Sequence, residues 1–325
     1  MPETTMTATA AGSVIGYNTK TNCLIPGYSD YSFMPSLTAA EQATGVTFNC
    51  LGTFIDDTTT WAEWTSPWID DPNMGWTAWM ASDPTSRTLV IATDLVPNDV
   101  SDPDGSPDPA AWEPQCAAGE FNSYATQLAE ALVSAGFGKA VIRLGQEMNG
   151  SWEPDYAGTT PAEQQQWAAC FAQEVTAMRA VYGAGFQFDW DVNACVDDDD
   201  LSDLWPGDQY VDIVGVDAYD AFCDGMQPTP SGASFRDLLT EPDGLLPVTL
   251  FARSHGKPMS LPEWGCTASS AGGLGDDGFY VDGIGEWVRG IDFAFQEYFD
   301  TDDDSILPLS NAAPNTLAAY VQAFG

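Results

Sequence analysis

Short strand-like runs and amphipathic helical stretches alternate along this chain, and that alternation limits the possible folds more than any other feature. The runs are SVIGYN (13–18), VTFNCLG (46–52), TLVIATDLV (88–96), AVIRLGQE (140–147), FQFDWDVN (186–193), DIVGVDAY (212–219), PMSLPEWG (258–265) and IDFAFQEYF (291–299). Several are almost continuously apolar, as strands covered on both faces should be. The clearest helix lies between the fourth and fifth runs. Thr160, Pro161 and Glu163 supply an N-cap, a first-turn proline and the acid of a capping box. Trp167, Phe171, Val175, Met178 and Tyr182 then form one apolar stripe, which Gly183 can end. A second helix is expected over 123–135 and a third just before His255. Eight such units in 325 residues fit one α/β domain, a (β/α)8 TIM barrel spanning 1–325. A doubly wound sheet would more often carry a glycine-rich phosphate loop after its first strand, and IGYNTKTN is not one.

In such a barrel, reactive groups stand at the C-terminal ends of the strands. The third run ends at Asp94, the fourth at Gln146 and Glu147, the sixth at Asp217 and Tyr219, and the seventh at Glu263. Strand alternation groups Arg143, Gly145 and Glu147 on one side, Asp217 with Tyr219, and Met259 and Leu261 with Glu263. Glu147 and Glu263 can therefore converge across the barrel mouth. Two carboxyls about 5–5.5 Å apart suit glycoside hydrolysis with retention, and about 6.5–9.5 Å suits inversion. One glutamate at a strand end is readily a loop residue; two on facing strands are harder to dismiss. Arg143 and Asp217 would form a charged pair inside the barrel, costly unless matched. They either keep an attacking carboxylate ionised or serve the scaffold alone.

Composition narrows the partners. There are 48 acidic and 9 basic residues, a net charge of −39. That surface is unsuited to nucleic acid or an anionic membrane, since phosphate binding needs clustered Lys and Arg. The acidity reads as an adaptation to salt, to an acidic setting or for solubility. DDDD (197–200) and DTDDDS (300–305) read as solvated loops; a calcium site is the alternative, though neither has the spaced ligands and fixed glycine of a known calcium loop. No apolar run reaches the roughly 18 residues of a membrane span. The seven cysteines include no C-x-x-C pair, and His255 is the sole histidine, so a Cys/His metal site is not expected. His255 precedes Gly256 at a helix end, where a cation suits the dipole. The cysteines allow up to three disulfides in an oxidising compartment, or buried free thiols. MPETTMTATAAGS lacks the apolar centre of a secretory signal. An extracellular protein with its leader removed, or a phage or virion component, is the expectation. Five tryptophans, Trp61, Trp64, Trp68, Trp76 and Trp79, fall close together, either as core anchors or as a stacking platform for sugar rings.

One stretch is more specific. RLGQEMNGSW (143–152) resembles the R-x-x-H-E-M-N-G-x-W signature of glycoside hydrolase family 26, the β-mannanase family. The resemblance runs clearly from Arg143 to Glu263 and implies a retaining (β/α)8 enzyme with Glu147 as acid/base and Glu263 as nucleophile. It implies that Trp152 lines the subsite at the scissile bond and that Tyr219 steadies the nucleophile. FDWDVNA (188–194) is similar to the family's tryptophan-bearing fifth strand, so Trp190, with Gln146 and Asp94, joins the expected substrate contacts. Arg143, Asn149, Asp217 and Trp264 are expected to support the site. The chain departs from the pattern where Gln146 replaces the histidine before the acid and where DLVP ends the third strand without a histidine. On the eighth strand, Phe295 or Tyr298 is the candidate for the family's tryptophan. These departures fall at substrate-contacting positions, so the reaction class transfers better than the substrate.

The expectation is a monomeric retaining hydrolase of a β-linked polysaccharide, endo-β-1,4-mannanase-like, needing no cofactor or metal. Xylan, mixed-linkage β-glucan or another cell-wall glycan are alternative substrates. A non-catalytic carbohydrate-binding barrel is the competing class; both glutamates being present argues against it. The charge makes a separate prediction. Salt screens self-repulsion, so the melting temperature should hold or rise from low to high salt, and a fall would refute this account of the −39 charge.

Overall fold

The computed structural model describes residues 21–27, 32–56, 58–101, 107–194, 196, 200–220, 231–301, 306–309 and 313–325. Eight strands close into one barrel: β1 (Asn22–Pro26), β2 (Cys50–Phe54), β3 (Thr88–Thr93), β4 (Val141–Leu144), β5 (Gln187–Asn193), β6 (Ile213–Tyr219), β7 (Met259–Gly265) and β8 (Phe293–Asp300). Neighbours pair in parallel all the way round, with β1 also pairing to β8. The (β/α)8 barrel read from the sequence is therefore present. Its first strand is not SVIGYN, which lies outside the described residues, but the five-residue NCLIP. Short, and bounded by Asn and Pro, that segment carries a weak strand signal. The second strand starts four residues later than the sequence suggested, at Cys50.

Alternation along the strands sorts two cores. One set of side chains faces outward under the helices, among them Leu24, Leu51, Ile91, Ile142, Trp190 and Val214. The other faces inward and plugs the barrel floor with Cys23, Cys50, Val90, Val141, Ile213 and Phe295. Cys23 and Cys50 are register partners on β1 and β2 and are joined by a disulfide. A second disulfide, Cys116–Cys170, ties the helix Pro109–Ala117 to the helix Pro161–Arg179. Cys266 is a buried free thiol; Cys195 and Cys223 lie outside the described residues. The expected capping box forms at Thr160 and Glu163, and its helix buries Trp167, Phe171, Val175 and Met178. Tyr182 lies beyond the helix and is exposed.

Other expectations resolve in detail. Trp64, Trp76 and Trp79 are core, and Trp61 stacks on Tyr124 at 4.0 Å. Only Trp68 of the five is exposed, its indole donating to the Phe54 carbonyl at the end of β2. His255 ends the helix Leu245–Ser254, packs on Trp205 and places Nδ1 2.7 Å from Asp208. Asp300 is not a solvated loop residue: it is buried at the end of β8 and accepts from the Leu309 amide at 2.6 Å. Among the described residues no helix is long and apolar enough to cross a membrane.

The pairing of β7 is irregular, and this corrects the grouping of Met259 and Leu261 with Glu263. Between Leu261 and Trp264 there are three steps on β7 against two on β8, from Gln296 to Tyr298. Against β6, the four steps from Ser260 to Trp264 face three, from Gly215 to Ala218. The extra residue falls around Pro262, which has no amide hydrogen for the ladder. Below the bulge, Met259 and Leu261 face the outer core, while Ser260 reaches inward to Asp189 at 2.6 Å. Above it, Glu263 points inward.

Many carboxyls are buried away from cations. Burial, then Glu163 and Asp155, pushes Glu113 up to about 9, and neither of its oxygens has a hydrogen-bond partner. Burial, then Asp191, takes Asp189 to about 8. Burial also raises Asp220 to about 7 and Asp300 to about 6. A carboxyl whose folded pKa exceeds its unfolded one holds its proton more tightly when folded. Its contribution is fully present below the ordinary carboxylate range and is lost as pH rises through the folded value. The melting temperature should therefore decline from about pH 5 to about pH 9. A curve that is flat or rises over that range would contradict the burial of these groups.

Candidate active site

β4 delivers its side chains through an unusual turn. Gly145 follows the strand at φ +63°, and a Cβ there would lie 2.7 Å from the Trp167 ring. Two residues on, Glu147 has φ +48°, the only positive value at a non-glycine among the described residues. Such a conformation costs on the order of 1–3 kcal/mol and persists where surrounding contacts hold it. Here both carboxylate oxygens are held. Trp152 Nε1 donates to Oε2 and Asn193 Nδ2 to Oε1, each at 2.7 Å. Asn149 in turn fixes Asn193, donating to its carbonyl at 3.0 Å and accepting from its amide at 2.8 Å.

Glu147 is 8 % exposed. Burial, then the charge of Glu263, raises it to about 7, against the pull of Asn193 and Trp152. Glu263 has different company. Tyr219 donates its hydroxyl to Oε1 at 2.7 Å, and Arg143 Nη1 donates to Oε2 at 3.2 Å. Burial, then Glu263, drives the Tyr219 phenol well up, so it stays a donor. Arg143 also bonds Asp191 at 2.9 Å and Asp217. Burial opposes the guanidinium charge, but Asp191, Asp217 and Glu263 outweigh it. Burial holds Asp217 well above the ordinary range despite Arg143. One oxygen from each of Glu147, Asp217 and Glu263 lies within 4.8 Å of the others. The two glutamates thus face each other, one held by an indole and an amide, the other by a phenol and a guanidinium.

The remaining expected residues divide. Trp152 is 56 % exposed beside Glu147 and offers its ring to the cleft. Gln146 is buried and donates to Asp56 at 2.6 Å. Asp94, at the end of β3, gathers with Glu153 and Asp155 and not with the two glutamates. Trp190 does not reach the mouth. Asp189, Asp191 and Asn193 take the inward positions of β5, so Trp190 turns outward, packs on Trp205 and Phe251, and donates to the Leu204 carbonyl. Trp264 is likewise outward, wedged among Tyr298, Tyr320 and Phe324, and supports β7 by packing. Neither aromatic expected on β8 lies at the mouth: Phe295 belongs to the barrel floor and Tyr298 to the outer core. The β8 aromatic nearest the two glutamates' partners is Phe299, 6.4 Å from Tyr219 and 6.0 Å from Phe54 between ring centres. Asn193, Asp191, Phe299 and Asp56 were missed from the sequence. Counting by twos from Asp189 along FDWDVN would have found the first two.

The model of glycosyl hydrolase family 26 matches residues 121–249, short of half the chain but including β4 and its loop. No curated protein matches. Among solved structures, the chain is similar to Bacillus subtilis mannanase man26, with TM-score 0.63 and 15% identity over 94% of this chain and 86% of that one. A Cellulomonas fimi endo-β-1,4-mannanase double mutant gives TM-score 0.62 and 18% identity, over 94% and 70%. A Bacteroides ovatus family 26 β-mannanase gives 0.56 and 12%, over 94% and 86%. At these identities the structures speak for the shared barrel. The chain thus resembles glycosyl hydrolase family 26 over the segment that carries Glu147 and shares the barrel fold of these mannanases.

Proposed function

We propose that the protein hydrolyses a neutral β-linked polysaccharide with retention of configuration, Glu147 acting as acid/base and Glu263 as nucleophile. The observation that carries this reading is the facing pair of glutamates, with oxygens within 4.8 Å, in contrasting surroundings. That spacing falls on the retaining side of the divide. In the first step a Glu263 oxygen attacks the anomeric carbon while protonated Glu147 gives its proton to the departing glycosidic oxygen. The product is a glycosyl ester on Glu263. In the second step Glu147, now a carboxylate, takes a proton from water as the water oxygen attacks the same carbon and releases Glu263. The Arg143 cation and the Tyr219 hydroxyl hold Glu263 in line, and burial keeps Glu147 able to carry a proton near neutrality.

Several features support the substrate and setting. The mannanases of the same fold and the family match favour β-1,4-mannan, cut internally. Asp191, Asp217 and Glu263 share one guanidinium and Glu147 stands beside them, so a uronic-acid polymer would meet repulsion. Two disulfides suit an oxidising, extracellular setting, in which the chain acts as one catalytic domain.

The roles are separable by leaving group. Glu263→Ala should abolish turnover of mannan and of activated aryl mannosides alike. Glu147→Ala should lower kcat/KM on mannan by about 10²–10⁴-fold yet still release a good phenol, because such a group departs without a proton. Azide should then accelerate breakdown of the intermediate and give a β-azide. A 2-fluoro mannoside with a reactive leaving group should label Glu263; a label on Glu147 reverses the assignment, and anomeric inversion seen by NMR removes the covalent step. A second prediction concerns pH. Activity should fall as pH rises through about 7, where Glu147 loses its proton. Asn193→Ala removes a donor that favours the ionised carboxyl, so it should move that fall to higher pH. An unmoved limb would mean that another group sets it.

A further inference from the structure

The loop from Glu147 to Tyr156 carries a second group of carboxyls that the reaction above does not use. Asp94, at the end of β3, and Glu153 and Asp155, on the loop, each bring an oxygen within 4.8 Å of the other two. Asp94 and Asp155 are buried, and Glu153 is half-buried on the solvent side. Asp155 already ties the loop to β3, its Oδ2 accepting from the Leu95 amide at 2.7 Å. Its Oδ1 is sealed from solvent and has no hydrogen-bond partner, a costly state for a carboxylate oxygen. The charges bearing most on Glu153 are Asp155, Glu147, Asp56 and Glu263, all acidic.

We propose that Asp94, Glu153 and Asp155 bind one Ca²⁺ ion, which fastens the loop carrying Glu147 to the end of β3. The ligand set is oxygen only, as a hard cation requires. Oxygens around one Ca²⁺ at about 2.3–2.6 Å lie at most about 5 Å apart, so the observed triangle fits a single ion. The ion satisfies the orphaned Asp155 oxygen, and water completes its shell through the open side at Glu153. The facing trio at the reaction centre differs: there Glu147 and Glu263 each already accept two hydrogen bonds. Bound Ca²⁺ would order the turn that sets Trp152 against Glu147 without touching substrate.

The test is calcium titration of the full chain stripped with EDTA, followed by calorimetry and thermal melting at neutral pH and moderate salt. The expected result is saturable binding of one Ca²⁺ per chain with a rise in melting temperature that EDTA reverses. Glu153→Gln and Asp155→Asn should each weaken binding by about tenfold or more. Glu147→Gln, at the neighbouring trio, should keep it. Should Asp155→Asn fail to fold, the half-buried Glu153→Gln decides. Three results overturn the proposal: no saturable binding, binding unchanged in Glu153→Gln, or binding lost in Glu147→Gln. The last would place the ion on the reacting pair. None of these readouts depends on which polysaccharide is cleaved.

Discussion

One buried guanidinium organises the interior of this barrel. Arg143 is 1 % exposed and bonds Asp191 on β5, Asp217 on β6 and Glu263 on β7. Four neighbouring strands thus meet through one side chain. Lower in the barrel Glu297 on β8 also feels its charge. Taking a lone cation out of water costs several kcal/mol, and here the ring of carboxyls offsets it. Conversely, loss of Arg143 would leave that ring uncompensated, a defect worth about 3–5 kcal/mol in comparable buried pairs. The planar fork matters as much as the charge. Nη1 addresses Glu263 while Nη2 addresses Asp191 and Asp217, a division that a lysine could not make with the same fixed geometry.

The two glutamates illustrate how one residue type is given two characters. Glu263 shares in the Arg143 network and in the Tyr219 hydroxyl. Glu147 has only neutral donors, sits deeper, and stands on a backbone conformation that few non-glycine residues adopt. The strain and the burial arise from the same turn. Gly145 lets the chain pass against Trp167, which brings Glu147 over the mouth and under Trp152. Stability is conceded locally so that a carboxyl can hold a proton where an exposed one would not.

Much of this was legible from residue order because barrel strands are periodic and their ends carry the polar groups. Glu147, Glu263, Tyr219 and Arg143 stood out at strand termini, and the structure brings them together. Trp190 was misplaced because a family likeness outranked simple alternation, which turns it toward Trp205. Phe299 was missed because Phe295 and Tyr298 were named without counting alternation along β8; inward parity with Glu297 favours Phe299. The first strand escaped notice because pairing with both β2 and β8, not its own five residues, makes it a strand. Asp94 was correctly placed at a strand end, but its company came from a loop whose path no local pattern records.

The bulge on β7 has a bearing on how such a chain can change over time. Below Pro262 the strand answers to the outer core and to Asp189; above it, to Arg143 and Tyr219. The extra residue lets both halves keep their partners although they are out of phase. Straightening the bulge at the present length would make alternation even and turn Glu263 toward the helices, with Trp264 driven into the charged throat. What β7 must keep is therefore the phase between its two halves, which needs the bulge and its extra residue together or neither. A lineage can drift far in identity at this strand, and even shed the bulged position, but it cannot flatten the strand while keeping all seven residues.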